Sequence, residues 1–549
     1  MVDREQESAI FARLIARRAE EEPERLALIF ENAELPAEPV HNRHLAVRGN
    51  QLAWELRRAG FHKGDRVGIM LRNHPEFVYA LVANSQLGLV TVPIDPRAWG
   101  DRLRYFITFA GCSALVVADY ILADPQAAEV IQELGLRAYA LSTAEGRAHG
   151  LRIEGWPSLN EVFEGPERED VGQHVDTLDH PWFLSYTSGT TGDPKAIVFG
   201  YDRMLFYRLT PRFFAYREDD IPYTGLSLIH GNALVVTLMP ALWGVVQHAV
   251  FSRWFTKSRL WDICIERGCT TWSNLGGIAT AIYGEPPAPH DRAHRVRLVH
   301  SAGMPRDLWV PFEERFGVKI LEWYGTMEGG FAYNPPGVGP IGSFGKPPEG
   351  LLEMDVIDED DHPLPPGQIG ELVVRPAGGV ARLEYYRNPE ASARKTRRGW
   401  LHTGDMCWKD DQGWFFFAYR KEEGGIRKLG EFIAEDVIRR VLAEDPEVLD
   451  VHVYGVPARS GAPGESDVVA AIVVRDPERL DVAALFTRCA ERLERAQVPD
   501  YLQVVDELPK TATQKVQTRL LTESFDPSSP RVHARDKALA AEGEARRVK

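Results

Sequence analysis

The sequence is poor in cysteine and has no excess of positive charge. Its 549 residues include five cysteines, which form no CxxC pair and no spacing typical of secreted proteins. Free thiols in a reducing compartment, the cytoplasm, are therefore expected. The net charge of −15 argues against a protein that covers nucleic-acid phosphates, because such a protein needs a basic face.

Long apolar runs are also missing. The most apolar stretch, residues 233–246, is interrupted by Thr237, Pro240 and Gly244 and is too short to cross a membrane. It predicts a buried helix and turn. Residues 1–26 are charged and amphipathic, without the apolar core or cleavage site of a signal peptide. No membrane span and no secretion signal are therefore expected.

The sequence does contain short apolar strands that alternate with helical patterns. Segments such as RVGIML and ALVVAD predict strands, whereas EFVYALVANSQLG and DRLRYFITFAG predict helices. This alternation predicts an α/β fold in which helices pack on mainly parallel sheets. Apolar residues make up 44% of the chain, enough for a large core, and no internal repeat is evident.

Two changes along the chain indicate its domains. After Arg375 the segments become shorter and richer in strands, which predicts a small β-rich subdomain. Near residue 420 the charged run RKEEGGIRKLGE is broken by paired glycines and is a candidate linker. We predict a large N-terminal domain over residues 1–420, a smaller α+β C-terminal domain over 421–523 joined by a hinge, and a polar tail over 524–549.

One loop has the composition of an anion-binding site. Residues 185–200 read SYTSGTTGDPKAIVFG, with hydroxyl side chains and glycines between two predicted strands. Glycine exposes backbone N–H groups, hydroxyls add donors, and Lys195 supplies a charge for a polyphosphate. The loop is not a Walker loop, because Lys195 stands three residues after Gly192 and is followed by Ala196. By composition alone, a polar surface turn is an equal alternative.

Five stretches in the same order decide between these alternatives, because they resemble the motifs of the adenylate-forming superfamily. This superfamily includes acyl-CoA synthetases, luciferases and peptide-synthetase adenylation domains. The stretches are residues 185–200, EWYGTMEGG at 322–330, GWLHTGD at 399–405, YRKEE at 419–423 and LPKTATQKVQ at 508–517. Residues 296–325 are most similar in appearance to fatty-acid-transport-type and carnitine-type CoA ligases.

The resemblance implies a reaction and its cofactors. A carboxylate would attack the α-phosphate of ATP to give acyl-AMP, and the thiol of coenzyme A would then form a thioester and release AMP. The implied cofactors are ATP, Mg²⁺ and coenzyme A, and the implied partner is a small carboxylic acid. The C-terminal domain would rotate about a hinge at Glu422, and Gly430 would lie on the coenzyme A side.

The resemblance also implies a set of site residues. Glu328 would hold Mg²⁺, Lys515 would bridge the carboxylate and the α-phosphate, and His230 would lie near the acyl carboxylate. An acyl pocket would be formed by His230, Trp323, Gly329 and Gly330, and the paired glycines favour a bulky or long apolar acid. The implied nucleotide-binding residues are Thr187, Ser188, Gly189, Thr190, Thr191, Gly192, Lys195, Ser301, Ala302, Gly303, Tyr324, Gly325, Thr326, Met327, Asp405 and Arg420.

Departures from the motifs leave a second hypothesis open. Met327 replaces a hydroxyl residue expected next to the α-phosphate, Tyr419 replaces an aspartate, and Gln514 replaces a glycine. The protein would then mainly thioesterify an acyl-adenylate supplied by a separate adenylating enzyme. A third hypothesis, a binding protein without catalysis, is disfavoured because Lys515, Glu328 and Asp405 are retained.

Overall fold

The structure is a computed structural model, which describes most of the chain. The described residues are 9–32, 35–143, 156–186, 195–420, 426–428, 431–433, 435–459, 466–493, 496–511 and 516–538. Within these ranges, no helix has the length and apolar character needed to cross a membrane.

Strands and helices alternate through the first 420 residues. The strands are β1 (Leu26–Glu31), β2 (Glu38–His41), β3 (Arg66–Met70), β4 (Val90–Pro93), β5 (Cys112–Ala118), β6 (Arg137–Leu141), β7 (Pro181–Tyr186), β8 (Ala196–Gly200), β9 (Pro222–Thr224), β10 (Ala249–Ser252), β11 (Thr271–Leu275), β12 (Leu298–Ala302), β13 (Lys319–Thr326), β14 (Gly329–Asn334), β15 (Leu352–Ile357), β16 (Gly370–Pro376), β17 (Leu401–Lys409) and β18 (Phe415–Arg420). The α-helices are α1 (Phe11–Glu21), α2 (Asn42–Arg58), α3 (Pro75–Leu87), α4 (Gly100–Ala110), α5 (Asp119–Leu122), α6 (Pro125–Glu133), α7 (Leu159–Glu164), α8 (Asp202–Tyr207), α9 (Thr210–Phe213), α10 (Met239–Leu242), α11 (Leu260–Glu266), α12 (Gly276–Tyr283), α13 (Arg306–Phe316) and α14 (Pro389–Lys395).

Two mainly parallel sheets are the framework of this part. One has the order β6-β5-β3-β4-β7-β8, and only its edge pair β7 and β8 is antiparallel. The other has the order β14-β13-β12-β11-β9-β10-β1-β2, and the antiparallel pairs lie at its two edges. Inner strands such as β5 are almost continuously apolar because helices cover both faces of a parallel sheet.

Helix α3 illustrates how the sequence produces this core. It starts with Pro75, whose missing N–H costs nothing in a first turn, and it ends at Gly88 in the left-handed region. Every one of its residues except Glu76 is buried, so the helix has no polar face. One apolar core contains residues of this helix together with Phe30, Val116 and Trp272 from the two sheets. Packing on all sides explains why its sequence lacks an amphipathic stripe.

A smaller antiparallel sheet, β15-β16-β17-β18, follows the second large sheet. Its own core contains Phe344, Leu372 and Phe415. The strand-rich segment predicted after Arg375 is therefore present, but the subdomain begins earlier, at Leu352. The segment LEMDVI alternates apolar and acidic residues, which is itself typical of a half-buried strand, so the sequence contained a signal for this earlier start that the prediction missed.

The C-terminal part is a separate α+β unit. Its strands are β19 (Arg427–Lys428), β20 (Glu431–Phe432), β21 (Val448–Pro457), β22 (Ser466–Val474), β23 (Tyr501–Val505) and β24 (Val532–Ala534), and its helices are α15 (Glu435–Ala443), α16 (Val482–Arg492) and α17 (Thr518–Glu523). The main sheet has the order β21-β22-β23-β24, and Ile438, Ile472 and Phe486 belong to its core.

The predicted α/β fold class is confirmed, with one boundary corrected. Residues 524–538, which the prediction placed in a polar tail, include β24, which pairs with β23 through residues 532–534. Val532 is buried beside Tyr501, whereas the surrounding residues are polar. A three-residue strand at a sheet edge is too short to be recognised from its periodicity.

Candidate active site

A cavity of about 820 Å³ lies at the carboxyl ends of strands from both large sheets. Pro93, Tyr186, Leu275 and Thr326 end the strands β4, β7, β11 and β13, and all four line the cavity. Open α/β sheets bind ligands at this edge because loops with free backbone groups converge there. The small sheet adds Asp405 and Arg420, and the C-terminal unit adds Thr511.

Glu328 occupies the turn between β13 and β14 and is held by two side chains. The hydroxyl of Tyr385 donates a hydrogen bond to its Oε1, and the ammonium of Lys395 lies 2.9 Å from its Oε2. Lys395 also donates to the carbonyl of Thr403 at 3.0 Å. Both members of the Glu328–Lys395 ion pair are mostly buried, so solvent screens the pair only in part.

Tyr385 connects this carboxylate to Lys195. An isolated bridge joins Tyr385 to Ile197 on β8, and the amide of Val198 donates to the carbonyl of Glu384 at 2.9 Å. The ammonium of Lys195 lies 5.4 Å from the centre of the Tyr385 ring. The strand after the glycine-rich loop is thus fixed to the segment that holds Glu328, and Lys195 lies over the ring of the tyrosine whose hydroxyl binds that carboxylate.

Asp405 and Arg420 face each other across strands β17 and β18. They are partners in the strand register, and the Arg420 Nε lies 3.0 Å from the Asp405 Oδ1. The Tyr324 hydroxyl donates to the Asp405 Oδ2 at 2.5 Å. Burial and the neighbouring Asp405 raise the pKa of Tyr324, so this hydroxyl keeps its proton and remains a donor.

Thr326 and Met327 follow strand β13 at the narrow part of the cavity. The Thr326 hydroxyl donates to the carbonyl of Gly329 at 2.6 Å and accepts from the Gly329 amide at 3.2 Å. A Cβ atom on Gly231 would lie 2.5 Å from the Met327 sulfur, so the thioether rests directly on that glycine. The hydroxyl of Thr326 is therefore engaged in its own turn, and a sulfur stands where the motif has a hydroxyl.

Arg203, on helix α8, holds the backbone of this turn. Its Nη1 donates to the carbonyl of Met327 at 2.7 Å, and its guanidinium lies 4.5 Å from the ring centre of Phe199. Arg203 also lines the cavity. It both orients the Met327–Glu328 backbone and adds positive charge to the wall.

His230 stands between the charged and the apolar parts of the cavity. Its Nδ1 accepts a hydrogen bond from the amide of Asn232 at 3.3 Å. Burial lowers the pKa of His230 to about 4, so the ring is neutral at physiological pH. A neutral ring with an occupied Nδ1 presents its other nitrogen as an N–H donor.

The far end of the cavity is mostly apolar, and we call it the acyl end. The residues that define it are Phe206, Ile229, Asn232, Val235, Leu275, Ile278, Trp323 and Phe331. Asn232 begins the turn that leads into a π-helix over residues 233–238, a helix type that often occurs at functional sites. Trp323 packs edge-on against Phe214, with ring centres 5.5 Å apart.

The paired glycines of the predicted acyl pocket have a different physical explanation from the one expected. Gly329 and Gly330 line the cavity, and both have positive φ, at 143° and 90°. A Cβ at Gly329 would lie 2.9 Å from Leu401, and one at Gly330 would lie 3.2 Å from Val374. Neighbouring side chains fill the space, so backbone conformation and packing account for the glycines rather than room for the acid.

The segment predicted to line the adenine lies at the end of β12. Ser301 and Ala302 end the strand and Gly303 follows it, and none of the three is among the described residues that line the cavity. The amides of Gly303 and Met304 instead donate to the carboxylate of Glu322. Burial raises the pKa of Glu322 to about 8, while these amide hydrogen bonds act in the opposite direction. Glu322 therefore shapes this segment from inside the protein.

The C-terminal unit contacts the rim of the cavity on both sides of residues 512–515. The Nη1 of Arg97 donates to the carbonyl of Lys510 at 3.1 Å, and the Nη1 of Arg102 lies 3.3 Å from the Gln517 Oε1. Lys510 and Val516 form a bridge with each other. An ion pair between Arg440 and Asp307 joins the two parts at a second place. Lys510 and Gln517 are thus both held by the N-terminal part, and Thr511, next to Lys510, lines the cavity.

Several predicted site residues lie outside the described residues. They are Thr187, Ser188, Gly189, Thr190, Thr191, Gly192, Glu422, Gly430 and Lys515. Their assigned roles remain predictions. Of the others, Lys195, His230, Trp323, Gly325, Thr326, Met327, Glu328, Gly329, Gly330, Asp405 and Arg420 line one cavity, and Tyr324 contacts it through Asp405.

Sequence reasoning did not select Tyr385, Lys395 or Arg203. Lys395 is 67 residues from Glu328 in sequence, and Arg203 is 124 residues from Met327. The sequence contained one signal for Tyr385 and Lys395, since both lie shortly before the GWLHTGD motif. Arg203 follows the glycine-rich loop at a similar distance.

Comparison with known families identifies the chain. The model of the AMP-binding enzymes matches residues 15–384, and the model of the AMP-binding enzyme C-terminal domain matches residues 438–515. The chain therefore belongs to the AMP-binding enzymes, which confirms the predicted membership of the adenylate-forming superfamily. The described architecture of a large α/β part and a smaller α+β part agrees with this membership.

Among its relatives are several CoA ligases. The crotonobetaine/carnitine–CoA ligase of Salmonella agona (strain SL483) is 26% identical over 513 residues, which cover 90% of this chain and 95% of the relative. An anthranilate CoA ligase in complex with anthranoyl-AMP superimposes with a TM-score of 0.77 at 23% identity, covering 97% of this chain and 98% of that one. A benzoate CoA ligase from Burkholderia xenovorans LB400 superimposes with a TM-score of 0.77 at 21% identity, covering 93% and 99%. These superpositions show a shared fold.

Proposed function

We propose that this enzyme is an ATP-dependent acid–CoA ligase that activates a bulky, largely apolar carboxylic acid through an acyl-AMP intermediate. The supporting observation is a single cavity with two chemically different ends. Lys195, Glu328, Lys395 and Asp405 border one end, and apolar side chains dominate the other. A carboxylate anchored by its apolar body at the acyl end would extend toward the charged end, where a nucleotide fits.

The charged end has the groups that a nucleotide needs. Asp405 is buried in the cavity lining; Arg420 contacts one of its carboxylate oxygens and Tyr324 the other, and each oxygen has a second lone pair that would accept from a ribose hydroxyl. Lys195 and Lys395 would offset the negative charge of the phosphates, and Arg203 adds a third cation nearby. Positioning and charge neutralisation are the main contributions that a protein makes to transfer at phosphorus.

Glu328 fits a magnesium site, with Lys395 as a competitor. A carboxylate has about four lone-pair positions, and the Tyr385 hydroxyl and the Lys395 ammonium use two of them. The hard carboxylate oxygens suit Mg²⁺, which when bound would neutralise phosphate charge. Glu328 would be its protein ligand, and Lys395 keeps the carboxylate oriented in the absence of the ion.

The thiol half-reaction would use the same cavity. His230 is neutral and lies at the border of the two ends, so its N–H is available to hydrogen-bond the acyl carboxylate and later the thioester carbonyl. Lys515, Glu422 and Gly430 keep the roles that the family motifs imply: the bridging cation, the hinge and the coenzyme A side.

A direct assay tests this proposal. The purified protein is incubated with ATP, Mg²⁺, coenzyme A and a panel of aliphatic and aromatic acids, and mass spectrometry detects AMP and acyl thioesters. We expect stoichiometric AMP and thioester with bulky apolar acids, and pyrophosphate exchange that depends on the same acids. No thioester from any acid, or AMP without thioester, would contradict the proposal.

A second candidate function is thioesterification of an acyl-adenylate supplied by a separate adenylating enzyme. It is favoured by the turn at Met327, where a sulfur replaces a hydroxyl and the Thr326 hydroxyl is already bound to Gly329. Synthetic acyl-adenylate with coenzyme A distinguishes the two functions. Thioester from the adenylate without acid-dependent pyrophosphate exchange would support the second candidate over the first.

A further inference from the structure

A small apolar chamber adjoins the large cavity near Met327. Its volume is about 30 Å³, whereas that of the large cavity is about 820 Å³. The two spaces share part of their lining, which includes Ser185, Ile229, Gly231 and Met327. The chamber is therefore a side branch of the proposed substrate site.

The side chains that line the chamber alone are apolar. Among the described residues, they are Trp182, Phe183, Phe199, Met204, Leu234 and Met239. Aromatic rings form one wall, since the ring centres of Trp182 and Phe183 are 4.4 Å apart and those of Phe183 and Phe199 are 6.4 Å apart. Apolar cavities stay dry and bind apolar groups, and this one exceeds the roughly 10–15 Å³ that a water molecule needs. A group of about one or two carbon atoms fits such a space.

Met327 and Gly231 lie at the border between the chamber and the large cavity. Both residues line both spaces, and a Cβ on Gly231 would lie 2.5 Å from the Met327 sulfur. The backbone carbonyl of Met327 is held by Arg203 at 2.7 Å, whereas its unbranched thioether side chain adapts readily to its surroundings. The thioether can therefore turn aside for a substituent without disturbing the turn that carries Glu328.

This border is close to the position proposed for the reacting carboxylate. Gly231 follows His230, whose N–H would hydrogen-bond that carboxylate, and Met327 precedes Glu328, the proposed magnesium ligand. Trp323, by contrast, lines the acyl end but not the chamber. A group in the chamber would therefore be attached near the carboxyl carbon and not at the far end of the acid.

We propose that the acid carries a small apolar substituent, a methyl or ethyl group, on the carbon next to its carboxylate, and that this substituent occupies the chamber past Met327. This inference rests on the proposed ligase function and narrows its substrate class. It also gives a reason for the motif departure at Met327, because a flexible apolar side chain suits the border of an apolar chamber. An unbranched acid would leave the chamber empty and would lose the dispersion contacts that its walls offer.

Pairs of acids that differ only in this branch test the inference. Suitable pairs are phenylacetic acid with its α-methyl derivative, and hexanoic acid with its α-methyl derivative. The branched acids are assayed as separate enantiomers, because only one of them directs its methyl group to the chamber while the rest of the acid stays in place. For the wild-type enzyme, we expect kcat/KM to be about tenfold higher for one enantiomer than for the unbranched acid in at least one pair.

Substitutions of Leu234 change the chamber in opposite directions. Leu234 lines the chamber but not the large cavity. Leu234→Phe fills the space, so it should lower kcat/KM for the preferred branched acid by about tenfold and change the unbranched acid by less than about threefold. Leu234→Ala enlarges the space, so it should shift the preference from the α-methyl to the α-ethyl acid.

A matched control separates this role from a general effect of a larger side chain. Leu205→Phe makes the same exchange on helix α8 at a position that is 37% exposed and lines neither space. It should leave the preference between paired acids unchanged. Thermal unfolding of each variant checks folding.

The preference and its response to these substitutions decide the inference. A preference for one branched enantiomer that Leu234→Phe abolishes and Leu205→Phe retains supports it. Thioester formation without such a preference, or a preference that survives in Leu234→Phe, overturns it while the ligase function stands. If Leu234→Phe does not fold, an unchanged choice between α-methyl and α-ethyl acids in Leu234→Ala overturns it. If no acid of either kind yields thioester, the ligase proposal fails and this inference fails with it.

Discussion

The two ends of the cavity differ in how their buried polar groups are partnered. At the charged end, Asp405 is bound to Arg420 and Tyr324, and Glu328 is bound to Lys395 and Tyr385. At the acyl end, Asn232 and Trp323 have buried donors without a partner among the described residues. An unpaired charge costs far more to bury than an unpaired neutral amide or indole N–H, which explains why these two carboxylates are paired while the two neutral donors are tolerated without a partner.

This comparison predicts that the two ends of the cavity affect different kinetic properties. Substitutions at the charged end should change the step with ATP without altering the choice of acid. Substitutions at the acyl end should change the choice of acid.

The largest expected effect is that of Lys515→Ala. If this lysine bridges the carboxylate and the α-phosphate, its loss removes a cation that stabilises the first transition state, and adenylation should fall by about a thousandfold. Thioesterification of supplied acyl-adenylate should stay within about threefold of the wild type. Pyrophosphate exchange and thioester formation measured in parallel check this, and an equal loss of both half-reactions would remove Lys515 from the proposed role.

Asp405→Asn should lower kcat/KM for ATP by about a hundredfold. The amide has a single carbonyl oxygen in place of two carboxylate oxygens, and it leaves Arg420 without its counter-ion on the neighbouring strand. The ratio of kcat/KM values between different acids should not change. Asp411→Asn, at an exposed position in the hairpin between the same two strands, is the matched control. A loss of less than about threefold for Asp405→Asn would mean that the carboxylate stabilises the β17–β18 hairpin and does not bind ATP.

His230→Asn should lower activity at neutral pH by about tenfold, and the pH profile should identify the ring. Because burial lowers the pKa of His230 to about 4, no change in kcat/KM from this group is expected near pH 6.5, and the acid limb should appear near pH 4. Activity assayed from pH 4 to 9 measures this profile. Samples incubated at each pH and then returned to pH 7.5 are assayed again to exclude unfolding. A wild-type limb near 6.5 that His230→Asn abolishes would contradict a buried, neutral ring.

Burial of His230 also makes the free energy of unfolding depend on pH, because the folded and unfolded chains bind a proton at this residue at different pH values. The unfolded chain binds a proton at His230 near pH 6.5, whereas the folded chain binds it only near pH 4. The unfolded state therefore binds more protons between these values, so the free energy of unfolding falls as the pH falls through this window. His230→Asn should lose less of its unfolding free energy over the same window, as measured by urea titrations.

Lys395→Met has the smallest expected effect and tests the pairing at the charged end directly. Without the ammonium, the Glu328 carboxylate is freer to bind Mg²⁺, so the concentration of Mg²⁺ that gives half-maximal activity should fall by about three- to fivefold. Arg394→Met, one residue earlier on helix α14, is the matched control. A requirement for Mg²⁺ that stays the same or rises would mean that Lys395 orients Glu328 without competing for it.

Local patterns in the sequence predicted much of this molecule. The apolar runs of β3 and β5 and the helix predicted from EFVYALVANSQLG match observed elements, and five motifs in order indicated Glu328, Asp405 and Lys195. Prediction was poorest where a short element pairs at an edge, as β24 does, or where a residue has a packing role. The glycines at 329 and 330 belong to the latter group, since their neighbours Leu401 and Val374 come from distant strands.

The sequence by itself determined the order of strands and helices, the superfamily and the residue types available for its chemistry, because these depend on local periodicity and on short motifs. Only the tertiary structure decided which charges are paired and which donors are left over. Lys395 reaches Glu328, and Ser273 orients Asn232, across 67 and 41 residues of chain. Packing of distant elements sets these contacts, and burial sets their energy, so no local pattern along the chain encodes them.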